Sequence, residues 1–298
     1  MFLFAIFVKY VFWEKMCRLS VIVVNYKNPD RTIRFVREEC PKIMMEHSVI
    51  VVDNGSGPDM VARLRDELAD VAIIVSNPEN EGFARANNRG AQYALEHFSP
   101  SFLLFVNNDI VFTNADVVDA LASKLQILPN VGMIGPKVVG LDGRFQSPDP
   151  FRSFAELHLL PYWGKFFFSK IKLRRYLHQD YAQTAKEGYH YRIMGAFMLM
   201  NASDFVNCGM MDPHTFLYSE EPILSERLKR IGKRVWYDPS VCVLHDHGAT
   251  INSYFNIIQR RKLRLESDSY YFKTYLSLSI FQYWLARFTY WIKYIFGL

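Results

Sequence analysis

Residues 102–109 read Phe-Leu-Leu-Phe-Val-Asn-Asn-Asp, an uninterrupted apolar run that ends abruptly in amide and carboxylate side chains. Such a run predicts a strand, Phe102 to Val106, that is buried on both faces of a parallel sheet. Residues 49–56, Val-Ile-Val-Val-Asp-Asn-Gly-Ser, follow the same pattern. In open α/β sheets the ligand binds outside the carboxyl ends of the strands. We therefore expect the two polar ends to lie in one crevice.

The composition is that of a folded protein with one large core or two modest ones. Of the 298 residues, 50% are hydrophobic and 22% are charged, which excludes a disordered chain. The net charge of +5 is too small to indicate a nucleic-acid partner, and we expect none. The four cysteines form no C-x-x-C pair, so we interpret them as reduced, buried residues of a cytosolic protein.

Strands and helices alternate through the first 130 residues, which predicts a mostly parallel sheet with helices on both faces. The predicted strands are Leu19 to Asn25, Ser48 to Asp53, Val71 to Val75 and Phe102 to Val106. The predicted helices are Thr32 to Cys40, Asp59 to Leu68, Phe83 to Phe98 with Asn80 as its cap, and a helix capped by Asn114 that runs to Leu128.

The alternation degrades beyond Pro136. Residues 140–186 are rich in aromatic, proline and basic residues and predict long functional loops. Regular structure returns in a strand from Ile193 to Met200, a helix from Pro222 to Ile231 and a strand from Val235 to Val243.

Two acidic strand ends are the first candidates for chemistry. Asp53 belongs to an ideal turn sequence, Asp-Asn-Gly-Ser, or it recognises a base or ribose. Asn107 to Asp109 is a loop after a strand, or it supplies oxygen ligands for a divalent cation and a diphosphate. The position of Asp109 directly after an apolar strand favours the second interpretation. A cation there would neutralise the charge on a departing diphosphate.

Three further segments have both a structural and a functional interpretation. Residues 80–90 surround a helix start, which is either well capped or a site for an anion. Glu220 and Glu221 precede Pro222, which suits the first turn of a helix. Either both acids interact favourably with the helix dipole, or one of them is a general base. His245-Asp246-His247-Gly248 closes the last strand and suggests a metal or phosphate contact.

Two familiar motifs are missing. No G-x-G-x-x-G follows a predicted strand, which argues against a dinucleotide-dependent dehydrogenase, and no G-x-x-x-x-G-K-[ST] is present, which argues against a P-loop enzyme.

Taken in order, these segments resemble the family 2 glycosyltransferases, especially the rhamnosyltransferase-like branch that builds bacterial O-antigens, capsules and other surface glycans. The resemblance covers roughly Leu19 to Thr250. Its motifs are Val24-Asn25-Tyr26, Asp53-Asn54-Gly55-Ser56, Asn80 to Gly90, Asn107-Asn108-Asp109, Gly195-Ala196-Phe197-Met198, Phe216 to Glu221 with Arg227, and His245-x-x-Gly248-x-Thr250.

The resemblance implies a GT-A fold and an inverting, metal-dependent transfer of sugar from a nucleotide-diphosphate donor, dTDP- or UDP-linked, to a lipid-linked saccharide. It implies a divalent metal, Mg or Mn, bound by Asp109 and His245. It places the catalytic base at Glu221 or Glu220 and the acceptor beside Gly195, Ala196 and Phe197, with weaker roles for Arg227 and His247. The implied donor-binding residues are Asn25, Asp53, Asn80, Gly82, Arg85, Asn88, Asn107 and Asn108.

The chain departs from the family pattern at three of these positions. Glu221 stands where the family usually has Asp, Ile223 stands where a further acid is common, and Asn107 is the first residue of the D-x-D motif. The assignment of the base to Glu221 or Glu220 therefore stays open at this point.

Three segments are predicted: an apolar N-terminal segment (1–18), the catalytic domain (19–250) and a basic, aromatic tail (251–298). The N-terminal segment is too short to span a bilayer and lacks a signal-peptide pattern. Residues 270–298 hold no acidic residue, three basic residues and many aromatic ones. We expect one or two interfacial helices there that hold the protein on the inner, cytoplasmic face of the cell membrane. The alternative is that these aromatic residues pack on the domain.

Two other functions fit a sheet of this kind. One is a sugar nucleotidyltransferase, although the Gly-rich, Arg-containing loop that such enzymes carry after the first strand is absent here. The other is a glycan-binding or scaffold protein without activity.

Overall fold

The computed structural model describes residues 18–178, 180–246 and 256–296, and these residues build one sheet flanked by helices. The predicted segment 1–18 lies, apart from Arg18, outside the described residues, and so does His247. The strands are β1 (Leu19–Asn25), β2 (His47–Asn54), β3 (Ile73–Asn77), β4 (Phe102–Val106), β5 (Ile110–Phe112), β6 (Val131–Gly140), β7 (Gly188–His190), β8 (Phe197–Asn201) and β9 (Arg234–His245).

The described strands pair in the order β3-β2-β1-β4-β8-β6-β9-β5, with β7 at the side of β9. The first four strands are parallel, as the alternation of strands and helices predicts. β8 then runs antiparallel between β4 and β6, and β9 is parallel to β6. The predicted α/β architecture is confirmed, and the antiparallel insertion of β8 is a tertiary feature that the local pattern does not show.

The helices of the first half are α1 (Pro29–Arg34), α2 (Pro58–Leu68), α3 (Phe83–His97) and α4 (Val117–Ile127). α1 begins three residues before its predicted start because Asn28 caps it and Pro29 occupies its first turn. Its helical path continues through a wider turn, Phe35–Glu39. Gly82, not Asn80, is the N-cap of α3, and Asn114 does not cap α4, whose N-cap is Asp116.

The second half is more helical than predicted. Residues 140–186, expected as loops, contain α5 (Phe154–His158), α6 (Leu160–Phe167), α7 (Lys170–Tyr176) and α8 (Tyr181–Thr184). Ser153 and Glu156 form a capping box at the start of α5, and Ser169 caps α7. The remaining helices are α9 (Ala202–Asn207), α10 (Glu220–Arg230), α11 (Ile257–Tyr275) and α12 (Ile280–Phe296).

Apolar side chains fill both faces of the sheet. Val21 and Val23 of β1 pack on one face with residues of α2 and α4, while Ile22 packs on the other with residues of α3 and α10. Because neighbouring side chains on a strand point to opposite faces, a strand buried on both faces is apolar throughout. This accounts for the continuous runs in β1, β2 and β4.

A third, smaller cluster joins the C-terminal helices to the domain. It contains Phe154 of α5, Ile223 of α10, Phe272 of α11 and Ala286 of α12. The described part of the predicted tail therefore packs on the domain, which was the alternative to a purely interfacial tail. Within the described ranges, no helix combines the length and the apolar character that a membrane crossing requires.

Candidate active site

The candidate site is a cleft of about 490 Å³ at the carboxyl ends of β1 and β4. Cavities of a few hundred cubic ångströms are typical of small-molecule sites. The predicted residues that line it are Asn80, Gly82, Asn107, Asn108, Asp109, Gly195, Ala196, Glu220, Glu221 and His245. The cleft thus combines strand ends that are distant in sequence, as the polar ends of the strands predicted.

Asp109 and His245 form the candidate metal pair. Antiparallel pairing of β5 with β9 places Ile110 opposite His245. As a result, Oδ1 of Asp109 lies 3.3 Å from Nε2 of His245, and both residues are buried. Gln146 holds the imidazole from its other side, with Oε1 2.7 Å from Nδ1. Both predicted ligands therefore face the cleft together.

The residues at this pair fit a divalent cation. Oδ1 of Asp109 is buried and accepts no well-formed hydrogen bond from any described residue. A carboxylate oxygen and an imidazole nitrogen are ordinary ligands for such ions. No group of three His, Cys, Asp or Glu side chains converges anywhere in the described part of the chain. A bound ion would thus take its other ligands from the substrate diphosphate and water.

Arg31 is a charged neighbour of this pair that the sequence did not reveal. Its Nη1 lies 3.7 Å from Oδ2 of Asp109, and its Nη2 donates to Asp246 at 2.6 Å. The Asn28-Pro29 start signal of α1 was the available clue, because it brings the first turn of that helix to the crevice.

Asn25 and Asp53 lie beneath the cleft and do not line it. Both are fully buried. Oδ1 of Asp53 accepts a hydrogen bond from Asn25 Nδ2 at 2.7 Å, and Oδ2 accepts one from the backbone of Ser56 at 3.0 Å. Both carboxylate oxygens therefore shape the turn after β2. Asn54, the next residue, does line the cleft and bonds Asn80 at 2.9 Å.

Residues 80–90 anchor the chain that leads to the two glutamates. Gly82 has a φ of +87°, and a Cβ there would lie 2.4 Å from the carbonyl oxygen of Phe216. The backbone of Phe83 donates to that same carbonyl at 2.9 Å. Arg85 and Asn88, predicted donor contacts, instead bond the backbone of Pro213 and Met211 outside the cleft. Of this segment, Asn80, Gly82 and Phe83 line the cleft.

The two glutamates begin α10 directly after a strained turn. Tyr218 and Ser219 both have a positive φ, +78° and +69°, which non-glycine residues adopt only when their surroundings enforce it. Burial and the neighbouring Glu221 raise the pKa of Glu220 to about 8, and its Oε1 has no hydrogen-bond donor among the described residues.

Glu221 has a different environment from Glu220. Its Oε1 accepts a hydrogen bond from the backbone of Gly195 at 3.1 Å, and its Oε2 lies 3.8 Å from Nη1 of Arg192. A Cβ at position 195 would lie 2.6 Å from that same Oε1. The glycine therefore lets a carboxylate approach the backbone, which explains the predicted motif at residues 195–198.

Two other predicted residues lie away from the cleft. Phe197, predicted to lie beside the acceptor, does not line the cleft, because it is fully buried in β8 and pairs with Val106 in the sheet. Arg227 forms an ion pair with Asp212 at 3.1 Å and donates to Tyr275 at 2.8 Å, so it ties α10 to a loop and to α11.

A group of charged residues in the cleft was not predicted from the sequence. Arg192 donates to Oδ2 of Asp149 at 2.5 Å, and Arg152 donates to its Oδ1 at 2.8 Å. All three line the cleft, as do Arg264 and Tyr271 of α11. No local signal marks them, because they lie in segments without strand or helix periodicity or beyond the expected domain boundary.

Asp268 of α11 holds the strained turn. Ser219 donates a hydrogen bond to its Oδ1, and Nε2 of His158 lies 2.8 Å from its Oδ2. Burial alone would raise the pKa of Asp268, but the hydrogen bonds from His158 and Ser219 hold it below its usual value. Nearby, Ser267 donates to the carbonyl of Leu217 at 2.8 Å.

Comparison with known proteins gives one family and several relatives. The sequence profile described as glycosyl transferase family 2 matches residues 20–223. A Mycobacterium tuberculosis protein named as an uncharacterized glycosyltransferase is 33% identical over 51% of this chain, which spans 59% of that relative's length. The N-acetylglucosaminyl-diphospho-decaprenol L-rhamnosyltransferase of the same organism is 24% identical over 76% of this chain and 75% of its own.

The fold is also found in a solved structure. The mannosyltransferase PcManGT from Pyrobaculum calidifontis, in complex with GDP-Man and Mn²⁺, superposes with a TM-score of 0.54 at 16% identity. The match covers 91% of this chain and 72% of that one. At this identity the likeness concerns the fold alone.

Proposed function

The chain belongs to glycosyl transferase family 2, and on that premise we propose that it is an inverting, metal-dependent transferase. It moves a sugar from a nucleotide-diphosphate donor, dTDP- or UDP-linked, to a lipid-linked saccharide in bacterial surface polysaccharide synthesis. The rhamnosyltransferase relative, whose name includes a diphospho-decaprenol, supports this choice of substrate class. The proposed location is the inner, cytoplasmic face of the cell membrane.

The observation that carries the proposal is the placement of Glu221 and the Asp109–His245 pair in one cleft. A glycosyl transfer needs a base for the acceptor hydroxyl and positive charge for the leaving diphosphate. The cleft offers a carboxylate for the first task and a cation-binding pair for the second.

Glu221 is the better of the two candidate bases. Burial and the neighbouring Glu221 raise the pKa of Glu220, which favours its protonated form and disfavours it as a base. The backbone of Gly195 donates a hydrogen bond to Oε1 of Glu221, and Nη1 of Arg192 lies 3.8 Å from its Oε2, so defined contacts hold this carboxylate at the cleft. Glu220 instead supplies a buried, neutral carboxyl at the start of α10.

The proposed reaction is a single displacement. The acceptor hydroxyl oxygen attacks the anomeric carbon of the donor sugar, while the bond from that carbon to the diphosphate oxygen breaks. Glu221 takes the proton of the hydroxyl, and the electron pair of the broken bond stays with the nucleoside diphosphate. Attack from the side opposite the leaving group inverts the anomeric configuration.

Asp109 and His245 would hold the cation. When bound, a divalent ion supplies a Lewis acid that neutralises charge on the diphosphate. The same cleft is lined by Asn107, Asn108, Asn80 and Gly82, which would contact the rest of the donor. Arg31, whose Nη1 lies 3.7 Å from Oδ2 of Asp109, would help to orient that carboxylate.

A donor screen followed by product analysis tests this proposal. Thermal unfolding of the protein with Mn²⁺ and each of a panel of nucleotide sugars should identify the donor, because a ligand that binds the folded state stabilises it. Incubation with that donor and a lipid-linked acceptor should then release nucleoside diphosphate. Release of pyrophosphate would identify a nucleotidyltransferase, and donor binding without turnover of any acceptor would favour a binding protein; either result overturns the proposal.

A further inference from the structure

A second acid-free region lies outside the tail. Residues 157–179 hold no Asp or Glu and five Lys or Arg residues, Lys165, Lys170, Lys172, Arg174 and Arg175. These residues belong to α6 and α7 and the turns around them. Phe167 is 77% exposed and Ile171 is 82% exposed, and Phe166 is exposed beside them. Large apolar side chains and positive charges therefore share one short helical pair.

α12 carries a matching stripe. Phe281, Trp284, Phe288 and Trp291 recur at helical spacing, and all four are exposed. The other face of the helix is buried against the domain, where Ala286 is fully covered. Phe288 and Trp291 stack on each other, and Trp284 contacts Tyr283 of the same helix, yet all four side chains stay exposed.

Side-chain contacts join the two regions. Nε1 of Trp163 in α6 donates to Oγ1 of Thr289 in α12 at 2.8 Å, and the rings of Tyr162 and Tyr290 meet at 5.6 Å. α6 and α7 are closely packed, since a Cβ at Gly164 would lie 2.7 Å from Leu173. We call the exposed residues of α6, α7 and α12 the aromatic-basic surface.

We propose that the aromatic-basic surface docks the protein on an anionic lipid bilayer. Aromatic side chains favour the headgroup level of a bilayer, and Lys and Arg are attracted by its negative charge. Protein–protein interfaces are depleted in Lys, whereas this surface carries Lys165, Lys170 and Lys172 without a single acid between them. The charge pattern therefore fits a lipid surface better than a protein partner.

The position of the surface suits a lipid-linked acceptor, so this inference rests on the proposed function. Leu157 of α5, which leads directly into α6, lines the cleft, and so does Tyr271 of α11. The same helical layer thus borders the cleft and carries the exposed aromatic residues. Docking through α6 and α7, in addition to the tail, would bring the cleft to the membrane where such an acceptor lies.

Sedimentation of the full chain with vesicles tests the surface. We expect binding to vesicles of phosphatidylcholine mixed with phosphatidylglycerol and weak binding to phosphatidylcholine alone. Replacing Lys170, Lys172 and Arg175 by Gln should weaken binding about 100-fold at low salt, since each charge near an anionic surface contributes about 5-fold. Replacing Phe166, Phe167 and Ile171 by Ser should weaken it at high salt as well, because salt does not screen apolar insertion.

A matched control uses apolar residues on another part of the molecule. Met44 and Ile127 are 74% and 79% exposed, and Ile127 lies on α4, which packs on the sheet. Met44→Ser with Ile127→Ser should leave vesicle binding unchanged. A blue shift of tryptophan fluorescence when anionic vesicles are added to the unmodified chain gives an independent measure that needs no variant.

Three outcomes overturn the inference. The first is that the unmodified chain does not bind anionic vesicles, and the second is that both α6–α7 variants bind as well as the unmodified chain. The third is that the chain self-associates without lipid and these variants abolish the association, which would make the surface an interface between two copies. Donor-induced thermal stabilisation, measured without vesicles, separates this failure from that of the proposed function. A chain that binds donor but not lipid keeps its activity assignment, and one that binds lipid but no donor loses it.

Discussion

The two sides of the cleft are held in place by different kinds of contact. The strand-end side comprises Asn80, residues 107–109 and His245. Sheet pairing positions its backbone, and side-chain bonds such as that between Gln146 and His245 are added to it. The helical side comprises Asp149, Arg192, residues 218–221 and Asp268, and side-chain bonds between distant segments position it. The strand-end side thus follows from the sheet, whereas the proposed catalytic turn depends on packing completed near the C-terminus.

Of the residues on the two sides of the cleft, Glu221 should show the largest loss of turnover when it is replaced. Glu221→Gln should lower kcat by about 10² to 10⁴, because an amide cannot accept the proton of the acceptor hydroxyl. Donor affinity should stay unchanged, since the strand-end side is intact. Turnover and donor binding are measured in parallel, with Glu220→Gln as the matched control. If Glu220→Gln is inactive and Glu221→Gln is active, the base has been assigned to the wrong residue.

The strand-end side should respond in the opposite way. Asp109→Ala should lower transfer about 100-fold or more and remove the extra thermal stability that Mn²⁺ gives in the presence of a nucleoside diphosphate, because it deletes one of two metal ligands. Asp142→Ala, at an exposed acid in the loop after β6, serves as the control. Full activity of Asp109→Ala in the presence of a chelator would remove the metal from the mechanism.

Asp268 is a positioning residue whose replacement tests the link between α11 and the turn. Asp268→Asn should reduce kcat about 10-fold and lower the melting temperature, because it weakens the bonds to Ser219 and His158 in a buried site. Donor affinity should not change. Glu266→Gln, on the same helix and exposed, is the control. A loss of stability without any change in kcat would show that Asp268 supports only the fold.

The smallest expected effect is a pH dependence of stability. The folded protein raises the pKa of Glu220 from 4.5 to about 8, so the folded state favours the neutral acid. In the unfolded chain Glu220 ionises above pH 4.5, whereas in the folded chain it stays protonated up to about pH 8. The free energy of unfolding therefore decreases as the pH rises from about 4.5 to about 8. Glu220→Gln should remove this loss, and its melting temperature relative to the unmodified chain should increase between pH 5 and pH 8. An unchanged difference across that range would contradict the buried, neutral state of Glu220.

The same contrast explains what could be predicted from the sequence. β1 and β4 match their predicted bounds, since a strand buried on both faces leaves a continuous apolar run. The polar residues after β4 predicted Asp109 as a site residue, and the end of β9 predicted His245. The sequence also favoured the metal role of Asp109 over its interpretation as a turn residue.

The helical side could be predicted only in part. The capping box of Ser153 and Glu156 is visible in the sequence and would have indicated α5 among the expected loops. Nothing local connects Ser219 to Asp268, because their bond depends on how α10 and α11 pack. Direct donor contacts were also predicted for Asp53, Arg85 and Asn88, whereas the structure gives these side chains bracing contacts outside the cleft. The assignment of donor and acceptor roles stays a prediction.

The bond between Ser219 and Asp268 has a consequence for how the protein is made. The two residues are 49 positions apart, and all nine described strands precede Asp268 in the chain. Since a ribosome adds about 5 to 20 residues per second, Asp268 is added roughly 2 to 10 seconds after Ser219. We infer that a nascent chain can complete its sheet before Asp268 is available to hold the proposed catalytic turn, so that donor binding would precede transfer during synthesis. Chains stalled on the ribosome before and after Asp268 emerges would test this order, and full transfer by the shorter chain would contradict it.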